Sequence, residues 1–533
     1  MAAKDSFTDG CVQAGGALLH FFMVFTCVFI GVSLAKFFLD HFPKSDRNKD
    51  RRTQRRLPPG PRGWPILGHL PYLGSHPHQV LARWRENYGD IYRIRMGSKT
   101  VVVVNGLAAT RHVLLDRRGE FDGRASLLSF SSICDGASLT NNRDYGVSDV
   151  QRKIAVRALN AVMKDKQNLE ELISKQADNL VKNILKNEER PYDPASDFLT
   201  AVSSVIFALV FGCGRAGNLD EQFMNMLKSV RNFTDFCKAG NPADFFPWLE
   251  PFMRERMRKF KAMADMLPRI CHRLLQERWL TSYTPTLSHI TPPRDVMDVL
   301  INYVTTSSDA RRTKKLADAH VFNLLSDIVG AGFHTTSTAL NWVTLCLVAF
   351  QDAQRKAQIE IDSVIGKSRE PRTDDMDKTP YVMAMIHEVL RFRPVLPLSL
   401  PRATTREVVL GEFYIPDDTM VLINYWSVCH DSSVWTDPDL FKPERFLRTD
   451  AAGRTTIDNE LKERATTFSV GKRKCLGYAL ALKELFIMVT ALLQKTYILP
   501  EEGEDYEEAL KGEFGLAMTP KPYKVRFCQR SSL

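Results

Sequence analysis

One cysteine of this sequence lies where a thiol could act as a metal ligand. Cys475 is in the stretch FSVGKRKCLG, directly after the three cations Lys472, Arg473 and Lys474. The residues after it, LGYALALKELFIMVTALLQ, form a strong helical pattern, which predicts the sulfur at the N-terminal end of a helix. Unpaired N–H groups, the positive end of the helix dipole and the nearby cations all favour the thiolate, the form that binds metal.

The surroundings of Cys475 also predict which metal group it would bind. No second Cys or His lies in the stretch, so neither zinc nor an iron–sulfur cluster is favoured. Haem iron suits a lone thiolate, because the porphyrin supplies four other ligands. Gly471 is expected to turn the backbone closely against a flat ligand, Gly477 to allow tight packing at the helix start, and Phe468 to shield the sulfur.

Five motifs, which recur along the chain in the order expected for the family, resemble the cytochrome P-450 superfamily, and the resemblance covers essentially all 533 residues. FSVGKRKCLG matches the haem-binding signature F-x-x-G-x-R-x-C-x-G. Glu388 and Arg391, in HEVLRFRP, resemble the E-x-x-R pair, and FKPERF at Phe441–Phe446 resembles the segment whose arginine completes that network. GAGFHTT at Gly330–Thr336 resembles the oxygen-activating motif, and a proline hinge behind an apolar anchor is similar to the microsomal type.

The resemblance implies a haem b cofactor and gives several residues a role. Cys475 would be the proximal ligand to the iron, and Thr335 with His334 would serve oxygen activation. Arg473 would pair with a haem propionate. Arg152 would also pair with a propionate. The alternative is that Arg152 is an ordinary solvated arginine on a helix. The resemblance further implies a propionate-binding cation at Arg402, cofactor-loop residues at Phe468, Gly471 and Gly477, and a structural ion-pair network of Glu388, Arg391 and Arg445.

Two positions depart from the pattern of the resembled superfamily. The tryptophan that is usual four residues before Arg152 is Ser148 here, which implies a different arrangement around the cofactor. The oxygen-activating motif usually places an acid before its threonine, whereas His334 precedes Thr335 here. Histidine titrates near neutrality and can relay protons, so we hypothesise that His334 substitutes for the acid. The alternative is that His334 bonds a neighbouring helix.

Several stretches resemble the animal aryl-hydrocarbon hydroxylase group of that superfamily, with the steroid 17-hydroxylase branch as the nearest competitor. They are YGDIYRIRMGS, AGNPADFFP and RDVMDVLI. The resemblance implies lipophilic substrates, aromatic or steroid-like, which suit a slot lined by phenylalanines. A phenylalanine usual in the group is Asn141 here, which argues against a narrow planar specificity. The implied pocket residues are Phe130, Phe233, Phe245, Ala331, Phe333, Leu396, Leu400 and Leu516.

A large, mostly helical scaffold is needed to bring these residues together. Alternation in DIYRIRM, a Gly-Ser-Lys-Thr turn and the run VVVV predict a hairpin over Asp90–Gly106. From Ala108 to Ile365 apolar residues recur at helical spacing, and HVFNLLSDIVGAGFHTTSTALNWVTLCLVAF, apolar nearly all round, predicts a helix through the interior. Pro394–Arg464 is expected to be β-poor and loop-rich. The predicted fold is mainly α with a small β region, in one catalytic domain over 66–533.

An apolar run near the N-terminus predicts a transmembrane anchor over residues 14–36. Ala14–Ala35 has His20 as its sole ionisable residue and would span roughly 33 Å as a helix, enough for a bilayer core of about 30 Å. A basic linker and proline hinge follow over 37–65, and their charge predicts a cytosolic catalytic domain on the endoplasmic reticulum membrane. The alternative is a cleaved signal peptide, for which the basic residues lie on the wrong side.

Composition and charge indicate the partners. The formal charge is +10, and cations surround the cysteine at Lys462, Arg464, Lys472, Lys474 and Lys483, which predicts an acidic redox partner. The resemblance implies NADPH-cytochrome reductase, with cytochrome b5 as an optional second donor. No nucleic-acid recognition motif is present, so nucleic acid is not expected as a partner. The ten scattered cysteines form no CxxC pair, which predicts free thiols.

The predicted function is that of a reductase-dependent monooxygenase that hydroxylates lipophilic small molecules at a cysteine-ligated haem. Two alternatives remain open at this point. A haem-thiolate enzyme that isomerises or rearranges peroxides needs no reductase, and the missing acid beside Thr335 favours it. A non-catalytic haem- or lipid-binding protein would show no turnover even with a reductase.

Overall fold

The computed structural model describes residues 55–212, 240–282, 293–306 and 318–530, and five single positions between 223 and 236. The anchor predicted over 14–36 and most of the linker predicted over 37–65 lie outside these residues. Within the described ranges, no helix is long and apolar enough to cross a membrane.

Most of the described chain is helical, as the spacing of its apolar residues predicts. Aspartates cap two of the long helices: Asp144 accepts a hydrogen bond from the amide of Val147, and Asp165 from that of Asn168. The helices are α1 (Leu70–Leu73), α2 (Pro77–Tyr88), α3 (Leu107–Arg111), α4 (Leu128–Ser131), α5 (Tyr145–Met163), α6 (Lys166–Leu185), α7 (Ala195–Phe211), α8 (Pro242–Phe245), α9 (Arg254–Ala264), α10 (Met266–Ser282), α11 (Val296–Thr306), α12 (Asp318–Ala349), α13 (Gln351–Val364), α14 (Pro380–Phe392), α15 (Tyr425–Cys429), α16 (Asn459–Arg464), α17 (Tyr478–Lys495) and α18 (Tyr506–Lys511).

The longest helix, α12, runs through the core, which confirms the prediction of an interior helix. Leu324, Leu340 and Leu345 are fully buried on it. It packs against α7 most extensively and also against α10, α14 and α17. The last of these is the helix that follows Cys475, so α12 and the cysteine loop belong to one packing unit. The burial of apolar residues on all sides of α12 explains why its sequence lacks a polar face.

The strands form one mixed sheet and three two-stranded pairs. The sheet order is β1-β2-β7-β4-β3, and the predicted hairpin is confirmed as the antiparallel pair β1/β2. Pro394–Arg464, predicted to be β-poor, instead contains six strands of two to four residues, because strands this short show no readable alternation. The strands are β1 (Ile91–Met96), β2 (Lys99–Val104), β3 (Gly123–Arg124), β4 (Arg402–Ala403), β5 (Val408–Leu410), β6 (Phe413–Ile415), β7 (Met420–Ile423), β8 (Leu447–Thr449), β9 (Thr455–Ile457), β10 (Thr496–Leu499) and β11 (Arg526–Gln529).

A buried ion-pair network joins α14 to the loop after it, as the E-x-x-R resemblance predicts. Arg391 donates to Glu388 through Nε at 2.7 Å, and Arg445 Nε donates to the same carboxylate at 3.0 Å. The amide of Lys442 donates to Glu388 at 2.8 Å, and Arg391 Nη1 donates to the carbonyl of Cys429 at 2.6 Å. Every charge therefore has an opposite charge beside it, which is the condition for burying ions in a stable core.

Candidate cofactor and oxygen-activation site

The loop before α17 presents Cys475 at an exposed position, whereas the free thiols of Cys271, Cys346 and Cys429 are buried. The amide of Cys475 donates to the carbonyl of Phe468 at 2.9 Å, which closes the loop on itself. α17 begins at Tyr478. The sulfur therefore lies three residues before a long helix, which confirms the predicted position at a helix start.

The two glycines of this loop have different surroundings. Gly471 has φ of +75°, and a Cβ there would lie 2.1 Å from the carbonyl oxygen of Leu114, so only glycine fits. This close approach is to the protein backbone, and the approach of Gly471 to a flat ligand remains a prediction. At Gly477 a Cβ would meet none of the described atoms within 4 Å, so the tight packing predicted there is wrong.

The neighbours of Cys475 act on its ionisation in opposing directions. The loop opens on one side, but the protein behind the sulfur desolvates it, and this raises the pKa of the thiol. The amide of Gly477 and the charges of Arg152 and Lys474 lower that pKa by less. The direction predicted for Lys474 and for an amide at the helix start is right, but the sum of these effects is not enough to favour the free thiolate. A coordinating metal deprotonates a thiol outright, so the raised pKa remains compatible with an iron ligand.

Arg152 reaches the cysteine loop from α5. Its Nη2 donates to the carbonyl of Lys474 at 2.5 Å, directly before Cys475 in the chain. Arg152 is half-buried and this bond is exposed, so the solvated arginine stays an alternative, and a role towards a propionate remains a prediction. Ser148, one turn earlier on α5, is buried. The start of α5 at Asp144 thus sets the register that brings Arg152 to the loop.

Four cations, which we call the cation cluster, meet around one buried carboxylate, that of Asp122. Its members are Arg124, Arg402, Lys472 and Arg473. Asp122 lies 3.6 Å from Arg402 Nη1 and 3.3 Å from Lys472 Nζ. Its backbone carbonyl accepts from Arg473 Nε at 3.1 Å. Arg124 and Arg402 are direct partners in the register of β3 and β4.

The cation cluster is unfavourable unless a further anion joins it. Like charges directly opposite each other in an antiparallel pair destabilise it, and both Arg124 and Arg402 are buried. Burial and the charges of Arg473 and Arg402 lower the pKa of Arg124 well below its usual value. Among the described neighbours, the cations outnumber the ion-paired carboxylate of Asp122. The two propionates of haem b would offset most of this surplus, so the donor set fits the cofactor.

Arg473 is held by the loop that leads into α5. It donates to the carbonyl of Leu139 at 3.1 Å and to that of Asn142 at 3.2 Å. The amide of Leu139 in turn donates to the carboxylate of Asp327 on α12 at 2.7 Å. This chain of contacts connects the cysteine loop to the helix that carries Thr335. Asp122, Arg124 and Asp327 lie outside the sequence motifs. The sequence gives no signal that Asp122 and Arg124 meet Arg402, or that Asp327 meets Leu139.

The oxygen-activation residues lie in the middle of α12. Thr335 is half-buried and donates through Oγ1 to the carbonyl of Ala331 at 2.8 Å, one turn back on the helix. His334 is also half-buried. A Cβ on Gly332 would lie 3.1 Å from Ile206, so this glycine lets α12 approach α7 closely. The roles of Thr335 and His334 remain predictions.

The basic residues near Cys475 differ from one another in exposure and in ion pairing, which the charge pattern does not predict. Lys474 is exposed, with its Nζ 4.1 Å from the ring centre of Tyr478. Lys472, expected to face outward, is instead ion-paired with Asp122. Arg464 pairs with Glu460. Only part of the predicted basic face is therefore available to an acidic partner.

The predicted substrate pocket is corrected at one residue. Phe333 is 0% exposed and lies in the helical core, so its side chain offers no surface to a substrate. The other residues range from half-buried to exposed, and Ala331, next to the Thr335 turn, is exposed. A cavity of about 320 Å³ between the sheet and β6 contains none of the eight. The remaining pocket residues stay predictions; they are Phe130, Phe233, Phe245, Ala331, Leu396, Leu400 and Leu516.

The chain is similar to known proteins of one family. A family model described as Cytochrome P450 matches residues 58–527. The chain is 36% identical over 450 residues to Cytochrome P450 1A2 of Felis catus, which covers 83% of this chain and 86% of that relative. It is 36% identical over 459 residues to Cytochrome P450 1A1 of Felis catus, covering 84% and 87%. It is 35% identical over 493 residues to Cytochrome P450 1A5 of Gallus gallus, covering 90% and 91%.

Proposed function

Because the chain belongs to the cytochrome P450 family and is a monooxygenase with a cysteine-ligated haem b, we propose that NADPH-cytochrome reductase supplies its electrons and that lipophilic aromatic or steroid-like molecules are its substrates. The observation that carries this proposal is the exposed thiol of Cys475 in a loop whose Arg473 belongs to the cation cluster. The reductase-independent rearrangement is not favoured, since the family and these relatives support the monooxygenase.

The residues of the site divide by task. When bound, haem supplies the activation of dioxygen and the transfer of one oxygen atom to the substrate. Cys475 would ligate the iron, and Arg402 and Arg473, together with Arg124 opposite Arg402, would hold the propionates. The hydroxyl of Thr335 donates within its own helix, and its oxygen can still accept a hydrogen bond and orient a proton donor. α12 thus brings a proton-handling hydroxyl to a scaffold shared with α17.

We assign His334 the place of the missing acid in proton delivery. Histidine as a residue type can relay protons, and the position of His334 directly before Thr335 on α12 supports this role. His334→Ala should lower product formed per NADPH consumed and raise peroxide release, with a turnover loss of up to about 100-fold, the lower range for acid–base catalysis. Unchanged turnover and peroxide in His334→Ala would remove the residue from the relay. A gain in turnover with less peroxide in His334→Asp would show that the histidine is a handicap.

The electron donor is proposed from charge. Exposed Lys474 and half-buried Lys483 lie on the loop and helix of the thiolate side, where an acidic flavoprotein face would be attracted. Cytochrome b5, also acidic, would use the same side. The basic linker and the apolar run over 14–36 support a cytosolic domain anchored in the endoplasmic reticulum membrane.

Reconstitution with microsomal reductase tests the function directly. We expect NADPH consumption that requires both dioxygen and the reductase, together with a long-wavelength Soret band in the reduced carbon-monoxide complex. Turnover of a peroxide without reductase, and none with it, would refute the proposed electron source. A spectral binding screen of planar aromatics against steroids then separates the two substrate classes.

A further inference from the structure

Asp122 contacts three of the four cations in the cluster. Its side chain is buried at 1% exposure and lies between the guanidinium of Arg402 and the ammonium of Lys472, at 3.6 and 3.3 Å. Its backbone carbonyl accepts from Arg473. The next residue but one, Arg124, lies opposite Arg402 in the sheet. Asp122 is thus the carboxylate that the folded chain itself supplies to this group of cations.

A buried charge at this place must affect the electron affinity of the cofactor. Reduction adds one negative charge at the iron, so nearby cations favour the reduced form and nearby carboxylates oppose it. In a site of low dielectric constant these interactions are much stronger than in water. By neutralising nearby cations, Asp122 therefore makes reduction of the iron less favourable.

We propose that Asp122 is a positioning residue that offsets part of the cation cluster and thereby lowers the reduction potential of the bound haem. Lys472 extends the effect to the surface of the protein. Its side chain is 33% exposed and lies on the same loop as Cys475. The inference depends on the cofactor and on this charge arrangement, and is independent of the proposed substrates and reductase.

The midpoint potential of the purified full-length holoenzyme, measured by spectroelectrochemical titration, tests this proposal. Asp122→Asn removes the negative charge with little change of shape and should raise the potential. Lys472→Met removes a cation and should lower it. Asp418→Asn makes the same charge change in an exposed pair with Arg143 and should leave the potential at the wild-type value.

An unchanged or lower potential in Asp122→Asn with haem bound overturns the proposal. If Asp122→Asn does not retain haem, Lys472→Met provides the test. An unchanged potential in Lys472→Met would contradict the proposal that the charges of the cation cluster affect the potential. The double variant should lie between the two single variants. The carbon-monoxide Soret band of each variant reports separately on thiolate ligation, so loss of the ligand cannot be mistaken for a change of charge.

Discussion

Two buried charge networks of this protein differ in whether they are complete. In the network of α14, Glu388 receives hydrogen bonds from Arg391, Arg445 and the amide of Lys442. Glu388 and Arg391 are both 0% exposed. In the cation cluster, by contrast, buried Arg124 and Arg402 face each other across two short strands. In the first network each guanidinium bonds the one carboxylate directly, whereas in the second the four cations share the carboxylate of Asp122 and exceed it by three charges.

The difference distinguishes a structural network from a binding site without reference to any ligand. Burying ions is costly unless each has a partner, so a complete network indicates a structural role. A cluster in which cations exceed carboxylates has a folding cost that binding of an anion can recover. The two networks should therefore respond oppositely to removal of a charge.

Glu388→Gln should produce the largest loss of stability. It leaves the buried guanidinium groups of Arg391 and Arg445 without a countercharge, which costs about 3–5 kcal/mol of unfolding free energy. Urea unfolding followed by circular dichroism measures this loss. A loss below about 1 kcal/mol would mean that the network is not the structural element that its geometry indicates.

Arg124→Met should have the opposite effect: the stability of the apoprotein should be retained, and the binding of haem should be weakened. Removing one of two opposed cations should not destabilise the apoprotein, while the loss of a charge-assisted bond to the cofactor, about 1.5–3 kcal/mol, should speed haem loss roughly 10- to 150-fold. Transfer of haem to an excess of a scavenging apoprotein measures the rate. Arg143→Met, in an exposed pair with Asp418, is the control and should retain haem normally. A strongly destabilised apoprotein with normal haem retention would make Arg124 structural.

Gly471→Ala should disturb the cation cluster without altering its charge. The new Cβ would meet the carbonyl of Leu114 in a backbone conformation unsuited to alanine, at a cost of about 1–3 kcal/mol, and would displace Arg473. Gly453→Ala has a similar φ of +79° but no described neighbour within 4 Å. Thermal unfolding of both variants isolates the contact with Leu114. Equal effects would show that the backbone conformation alone matters.

Glu444→Gln should have the smallest effect. Its ion pair with Lys356 is short, at 2.5 Å, but both side chains are more than a third exposed. Solvent screens such pairs, so the loss should stay below about 1 kcal/mol. The same urea titration gives this value beside that of Glu388→Gln. A loss as large as that of Glu388→Gln would contradict burial as the property that separates structural pairs from surface pairs.

Much of the site could be predicted because its residues are close in sequence. The cysteine loop and α17 are local, and their contacts, such as Cys475 to Phe468, follow from short spacings. The pairing of Glu388 with Arg391 is likewise one helical turn. The interior course of α12 followed from its composition, since a helix without a polar face must be buried.

Other features depended on the sum of effects or on distant contacts. The charge of Lys474 lowers the pKa of the Cys475 thiol, as the sequence predicts. Desolvation by the rest of the fold has the larger effect and raises that pKa. Lys472 was expected at the surface, and its ion pair with Asp122 comes from another part of the chain. Phe333 matched an expected pocket position, yet the packing of α12 placed it in the core.

The sequence by itself determined the ligand loop, the helices and the ion pair of α14, because each rests on neighbours within a few turns of chain. Only the tertiary structure decided that Arg124 lies opposite Arg402 beside Asp122. These residues come from distant segments joined by strands of two residues, too short to show a periodic pattern. The charge of a site is a sum over residues in space, and no local stretch of sequence contains that sum.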